Sequence, residues 1–270
     1  MPITTANRIR LYWELHGKGG APVVLVHGSW GDHHTWDAVA PELGRRFRVL
    51  TYDRRGHSQS ERPATQGSID EDAADLAALV ETQAFAPAHI VGNSFGASIS
   101  LRLAASRPDL VASLAIHEPP LFGLLGSDPG LLDVQARVGA VIELLQSGQT
   151  ESGAEQFVET VALGPGMWER FPPDLKRVFV FNALTWLDEM NDPDAFMLDL
   201  RRLATFTQPV LLTKGDQSPP SFSPILDRVA AAIPHAQRHT YHGAGHVPQM
   251  THPADFVEVV GAFVKAEVTD

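Results

Sequence analysis

Cysteine is absent from the 270 residues, which excludes disulfides, thiolate metal sites and a cysteine nucleophile together. Basic charge is scarce: 21 Lys and Arg stand against 32 Asp and Glu, for a formal net charge of -11. Such a surface repels phosphate backbones and anionic lipid, so neither nucleic acid nor a membrane is an expected partner. Long apolar runs are missing too. No stretch reaches the about 18 residues a membrane span needs, and the opening "MPITTANRIRLYWELHG" has charges where a leader needs an apolar core. A soluble, cytoplasmic protein is expected. With 44% hydrophobic and 20% charged residues, the chain can bury a sizeable core, as one large α/β domain or two small ones.

Short β-rich runs alternate with helical patterns, which points to parallel strands joined by crossover helices. "RIRLYWELHG" reads as an opening strand, and "PVVLVHG" and "FRVLTYD" as strands buried on both faces. "SIDEDAADLAALVETQ" has helical apolar spacing behind a Ser68 cap. "AHIVGN", "FGASISLRLAASRP" and "LVASLAIHE" follow as strand, helix and strand. From Pro119 to Phe206 only helical segments rich in bulky apolar residues can be read, so residues 119–206 form a helical insertion. Alternation resumes at "PVLLTKG" and closes with the helix "PADFVEVVGAFVKAEV".

"GNSFG", Gly92 to Gly96, fits G-x-S-x-G between a strand and a helix, the context that pattern requires. A sharp strand-to-helix turn lifts the Ser94 hydroxyl to the carboxyl edge of the sheet and needs small neighbours where chain segments pass closely. A serine hydroxyl is a weak nucleophile and needs a base within reach. Of twelve histidines, His246 in "HGAGHVP" follows the last strand and comes after the serine, as a base should. His235, His239 and His242 read as surface residues. "VHGSWG" supplies backbone donors for an oxyanion, worth about 2.7 to 4 kcal/mol each. Ser29 N–H and Phe95 N–H are assigned to that role, with Trp30 N–H as the fallback. Asp32, His33 and His34 lack further ligands to complete a metal set, so a solvated loop is expected and no metal or cofactor. "DRRGHS", Asp53 to Ser58, is expected to order neighbouring turns through Asp and Arg hydrogen bonds.

"VHGSWG", "YDRRGHSQS", "GNSFG" and "GAGHVP", in this order and spacing, resemble the α/β-hydrolase family over essentially the whole chain. The resemblance implies a mostly parallel eight-stranded sheet flanked by helices. Residues 1–118 and 207–270 would form the core, and residues 119–206 a helical cap inserted after the sixth strand.

Most of that family keeps an acid after the strand that follows the cap, here "PVLLTKGDQS". Asp216 comes earlier than usual, and Ser218 occupies the expected place without a charge. The other place is the end of the strand after the nucleophile helix, where "LAIHEPPL" has Glu118. That strand is farther from the histidine loop by about 4.8 Å, and glutamate's extra methylene recovers part of the distance. Glu118 is the assigned acid and Asp216 the alternative; a water-mediated or unpaired histidine is the remaining reading. "IHEPPL" and "GAGHVPQMTHPADF" resemble the zearalenone lactonases, which implies the set Ser94, His246 and Glu118, with Trp186 near a substrate-contacting tryptophan of that branch. "VHGSWG" departs from that branch. Gly28, Trp30, Trp186, Met190 and Val247 are expected to contact substrate.

The function this implies is a cofactor-free serine hydrolase acting on a small apolar ester or lactone through an acyl-enzyme. Rivals using the same triad are carbon–carbon bond hydrolysis and haloperoxidase or perhydrolase chemistry; a rival of another class is a ligand receptor with vestigial turnover. A homodimer is left open.

Overall fold

The computed structural model describes residues 2–267. Eight strands form one sheet: β1 (Ile3–Ala6), β2 (Ile9–His16), β3 (Pro22–Val26), β4 (Arg48–Tyr52), β5 (Ala88–Asn93), β6 (Val111–His117), β7 (Val210–Gly215) and β8 (Gln237–Tyr241). Their order is β1-β2-β4-β3-β5-β6-β7-β8. β2 pairs antiparallel with β1 and β4, and every other pairing is parallel.

The opening segment differs from the single strand read from sequence. Ile3–Ala6 and Ile9–His16 form a hairpin that turns at Asn7 and Arg8, with φ of 47° and 65°. Two consecutive left-handed residues suit a two-residue hairpin, yet the turn carries no glycine to announce it.

The pleat sorts the central strands between two cores. On β3, Val24 and Val26 join one buried cluster with Leu76, Leu101 and Ile225. Val23 and Leu25 face the other way, against Trp36, Phe256 and Val260. Helices Ile69–Thr82, Phe95–Ser106 and Phe222–Ala232 supply the first layer, and Pro253–Ala266 the second. The Ile69–Thr82 helix begins with the expected cap, made a full capping box by Glu71.

Among the described residues, the chain between β6 and β7 contains helices and no strand, the longest being Leu131–Gln146 and Pro173–Asn191. This insertion has its own apolar cluster, in which Trp186, Val141, Leu145 and Trp168 join Trp30 from the loop after β3. No helix among the described residues is long and apolar enough to cross a membrane.

Candidate active site

Ser94 terminates β5 and opens the helix Phe95–Ser106 with φ 55° and ψ -125°. A non-glycine residue there costs about 1–3 kcal/mol and persists only when its surroundings over-determine it. They do so here. Ser94 N–H donates to His117 O at 2.9 Å, and a Cβ on Gly96 would meet Val26 O at 2.2 Å, so only glycine lets the turn pass β3. The Ser94 hydroxyl is half-buried and has no hydrogen bond among the described residues.

His246 lies in the loop after β8. Its Nδ1 is 2.7 Å from Glu118 Oε2, its ring stacks on Phe222 at 4.5 Å and 12°, and its carbonyl accepts from Asn93 Nδ2 at 2.9 Å. The last contact ties the histidine loop to the residue before Ser94. Gln249 secures the tie by donating to Asn93 Oδ1 at 3.1 Å. Because a carboxylate can only accept, Nδ1 carries the proton and Nε2 is left to take another.

Glu118, directly after β6, is fully buried with φ 45°. Its Oε1 accepts Gly215 N–H at 2.8 Å, which bridges β6 to the end of β7. Burial pushes its carboxyl up, but the His246 hydrogen bond and the neighbouring His117 imidazole outweigh this and hold it at about 2. The Ser218 hydroxyl faces the same carboxylate and pulls in the same direction, without a hydrogen bond of regular geometry. Buried His117 has its Nε2 3.5 Å from Glu118 Oε2, and burial lowers its pKa to about 4. Asp216 is exposed and does not meet His246. It accepts instead from Gly243 N–H at 2.8 Å and pairs with His242 at 3.1 Å.

Gly28 packs so tightly on the elbow that a Cβ would lie 2.9 Å from Ser94 Cβ. Ser29 N–H, Trp30 N–H and Phe95 N–H all lack an acceptor among the described residues. All three are therefore unengaged, the assigned pair and the fallback alike. Trp30 is fully buried with φ 66°, stacks on Phe157 at 4.8 Å and meets Trp186 at 5.1 Å with the rings tilted by 38°. Trp186 is 3% exposed. Met190 borders the same cluster, and Val247 is half-buried beside His246. A hollow of about 30 Å³ touches Arg54, Asp72, Phe95 and Glu189, and a groove of about 420 Å³ runs past Asn7, Arg55 and Glu61. Neither is lined by Ser94 or His246.

The "DRRGHS" loop orders its neighbours as expected. Asp53 accepts from His33 N–H, the His33 ring and Gln59 N–H at 2.9, 2.6 and 2.9 Å. The solvated loop expected for Asp32 to His34 is corrected: Asp32 and His33 are 3% and 2% exposed, and only His34 faces solvent. Asp53 and Ser58 supply the partners that make this burial affordable. Ligand atoms of Asp32, His33 and His34, and separately of His117, Glu118 and His246, lie within 4.8 Å of one another. In both groups, protein hydrogen bonds already engage the carboxylates and the Nδ1 of each histidine.

A family model described as alpha/beta hydrolase fold matches residues 21–253. The chain belongs to the alpha/beta hydrolase fold family. A pimeloyl-[acyl-carrier protein] methyl ester esterase from Yersinia pseudotuberculosis is 28% identical to this hydrolase over 264 residues, 95% of this chain and 98% of that protein. The dihydrolipoyllysine-residue acetyltransferase component of an acetoin cleaving system from Pseudomonas putida is 38% identical over 110 residues, 41% of this chain and 30% of that protein. Among solved structures, a bromoperoxidase from Bacillus anthracis has a TM-score of 0.80 at 24% identity, covering 98% of this chain and 99% of its own. The enol-lactonase from Burkholderia xenovorans LB400 reaches 0.79 at 22%, covering 98% and 100%. These two share the hydrolase fold.

Sequence reasoning missed three residues at this site. Phe222 covers the His246 ring, Asn93 ties the two loops, and Glu189 receives the Ser29 hydroxyl. Only Asn93 carries a signal, as the variable position before the serine in G-x-S-x-G.

Proposed function

We propose that this alpha/beta hydrolase is a serine hydrolase that cleaves a carboxylic ester or lactone of an apolar substrate. The observation that carries the reading is the buried Glu118–His246 hydrogen bond of 2.7 Å, tied through Asn93 to the strained Ser94 elbow. His246 Nε2 takes the Ser94 proton as Oγ attacks the carbonyl carbon, and Glu118 stabilises the imidazolium that forms. Ser29 N–H and Phe95 N–H hold the oxyanion. The imidazolium returns its proton to the departing alkoxide, leaving an acyl-enzyme, and water deprotonated by His246 then releases the acid. In a lactone, acid and alcohol stay on one molecule.

The full-length similarity to a methyl ester esterase supports ester chemistry. The helical insertion serves as the cap in this reading, and its aromatic cluster favours an apolar acyl or alcohol group. A macrocyclic resorcylic lactone of the zearalenone type is the finer proposal, with Glu118 as the acid and Trp186, through Trp30, shaping the wall.

The test uses a fluorophosphonate probe on wild type with Ser94→Ala as blank, followed by mass spectrometry of a p-nitrophenyl ester and of zearalenone after incubation. Labelling confined to Ser94, release of acid plus alcohol, and a lactone heavier by one water support the proposal. An unlabelled wild type overturns the nucleophile. A labelled enzyme that leaves both substrates intact overturns the ester and lactone assignment in favour of carbon–carbon or peracid chemistry.

A further inference from the structure

We propose that Glu189, on the insertion helix Pro173–Asn191, is a positioning residue that aims the Ser29 N–H into the oxyanion hole. The inference rests on the serine-hydrolase reading and deepens it by naming what orders the hole. Peptide units are planar and trans, so Gly28 C=O and Ser29 N–H belong to one rigid plate and point in opposite directions. Whatever holds the Gly28 oxygen therefore sets where the Ser29 N–H points.

Two side chains hold that oxygen. His27 Nδ1 is 2.7 Å from it, and Arg54 Nη1 donates to it at 3.3 Å. Arg54 is 1% exposed, and its guanidinium lies over the ring of Phe95, the other oxyanion residue, at 4.8 Å. Its orientation is set from two sides: Asp72 accepts its Nε and Nη2 at 3.1 and 3.3 Å, and Glu189 Oε1 accepts Nη2 at 2.7 Å. The second Glu189 oxygen accepts the Ser29 hydroxyl. Glu189 thus grips the plate at both ends, through Arg54 on the Gly28 side and through the side chain of Ser29 itself.

Apolar packing of the helix would do without this arrangement. Two carboxylates and one guanidinium leave an excess buried negative charge, and burial pushes the Glu189 carboxyl up despite Arg54. A buried network of this kind is weak support for stability, and its best-attested use is to specify one arrangement. Gly28, whose carbonyl this network holds, is the residue that packs against Ser94. Seating of the insertion helix is therefore coupled to formation of the oxyanion hole.

Glu189→Gln keeps the shape and removes the charge. Measured against wild type on a p-nitrophenyl ester, it is expected to lower kcat about tenfold, less than outright loss of a donor, with KM within about twofold because ground-state binding is untouched. Affinity for an aryl trifluoromethyl ketone, whose hemiketal oxyanion with Ser94 occupies the hole, should fall by the same factor as kcat. Adding Ser29→Ala to Glu189→Gln should cost less than Ser29→Ala costs alone, since both act on one plate. If Glu189→Gln fails to fold, Ser29→Ala alone carries the test through the same split of kcat from KM. Unchanged kcat and ketone affinity in a folded Glu189→Gln, or a rise in KM with kcat unchanged, overturns the inference and leaves the wild-type assignment standing. A wild type that neither labels with fluorophosphonate nor binds the ketone overturns both.

Discussion

The ends of β6 and β7 present two carboxylates to one loop. Glu118 follows β6, accepts a backbone amide from Gly215 and meets His246; Asp216 follows β7, accepts a backbone amide from Gly243 and meets His242. Both pairs join a carboxylate to an imidazole beyond adjacent parallel strands, Glu118 one residue and Asp216 three residues past the registered pair His117 and Thr213. They differ in burial and in that the His246 loop is tied through Asn93 to the Ser94 turn. Glu118 has no solvent-accessible surface, so its charge acts on His246 through a poorly screened medium, whereas the Asp216 pair lies in water, where such interactions are worth little. Under the proposed function the buried contact serves as the catalytic relay, and the exposed one is a surface hydrogen bond.

Exchanging the charges tests this contrast most severely. Glu118→Gln should lower hydrolysis by roughly 10³ to 10⁴-fold by leaving the imidazolium unstabilised, read as kcat on a p-nitrophenyl ester and as the rate of phosphonate labelling. A near-normal Glu118→Gln enzyme would erase the distinction between the two pairs. Placing Asp at Ser218 in that background should restore activity about tenfold, because the Ser218 hydroxyl already faces the carboxylate site. No recovery in a folded double variant would mean that the site accepts an acid from β6 alone.

Acid stability gives a smaller and separable signal. The Glu118 carboxyl is held at about 2, below its ordinary 4.5, so the stability it contributes is complete above about 4.5 and is lost as pH falls through about 2. Urea unfolding at pH 5 and pH 3 should show wild type losing more stability over that interval than Glu118→Gln. Asp216 is also lowered, through His242 and Gly243, but it is exposed. Asp216→Asn should therefore change the pH 5 to pH 3 difference only slightly, shrink further in salt, and leave kcat within about twofold. A larger effect on kcat would move the acid to β7.

What is readable in the sequence divides along a physical line. The elbow at Ser94 and the cap at Ser68 are written in a few consecutive residues, because the glycines a tight turn needs and the hydroxyl that opens a helix stand next to the residues they serve. The alternation from "PVVLVHG" onward gives the parallel core for the same reason: strands buried on both faces must be apolar throughout. The hairpin at Asn7 and Arg8 escapes notice because the second turn position is Arg8 where glycine would signal the turn. Burial of Asp32 and His33 escapes because it depends on Asp53 and Ser58, which stand some 20 positions away or more. Glu189 lies 160 positions from Ser29, in a segment read only as helical, and no local pattern can record such a contact. The residues that perform the proposed chemistry are legible, while those that aim them are set by tertiary packing.

The chain order of the relay has a consequence for synthesis. Glu118 precedes His246 by 128 positions, and a chain is made from its N-terminus. While the last loop is still unmade, Glu118 lacks its imidazole partner, although the Ser94 turn meets only β3, β5 and β6. Under the proposed function, the turn can thus form before the imidazole that would activate it, which arrives with the closing segment.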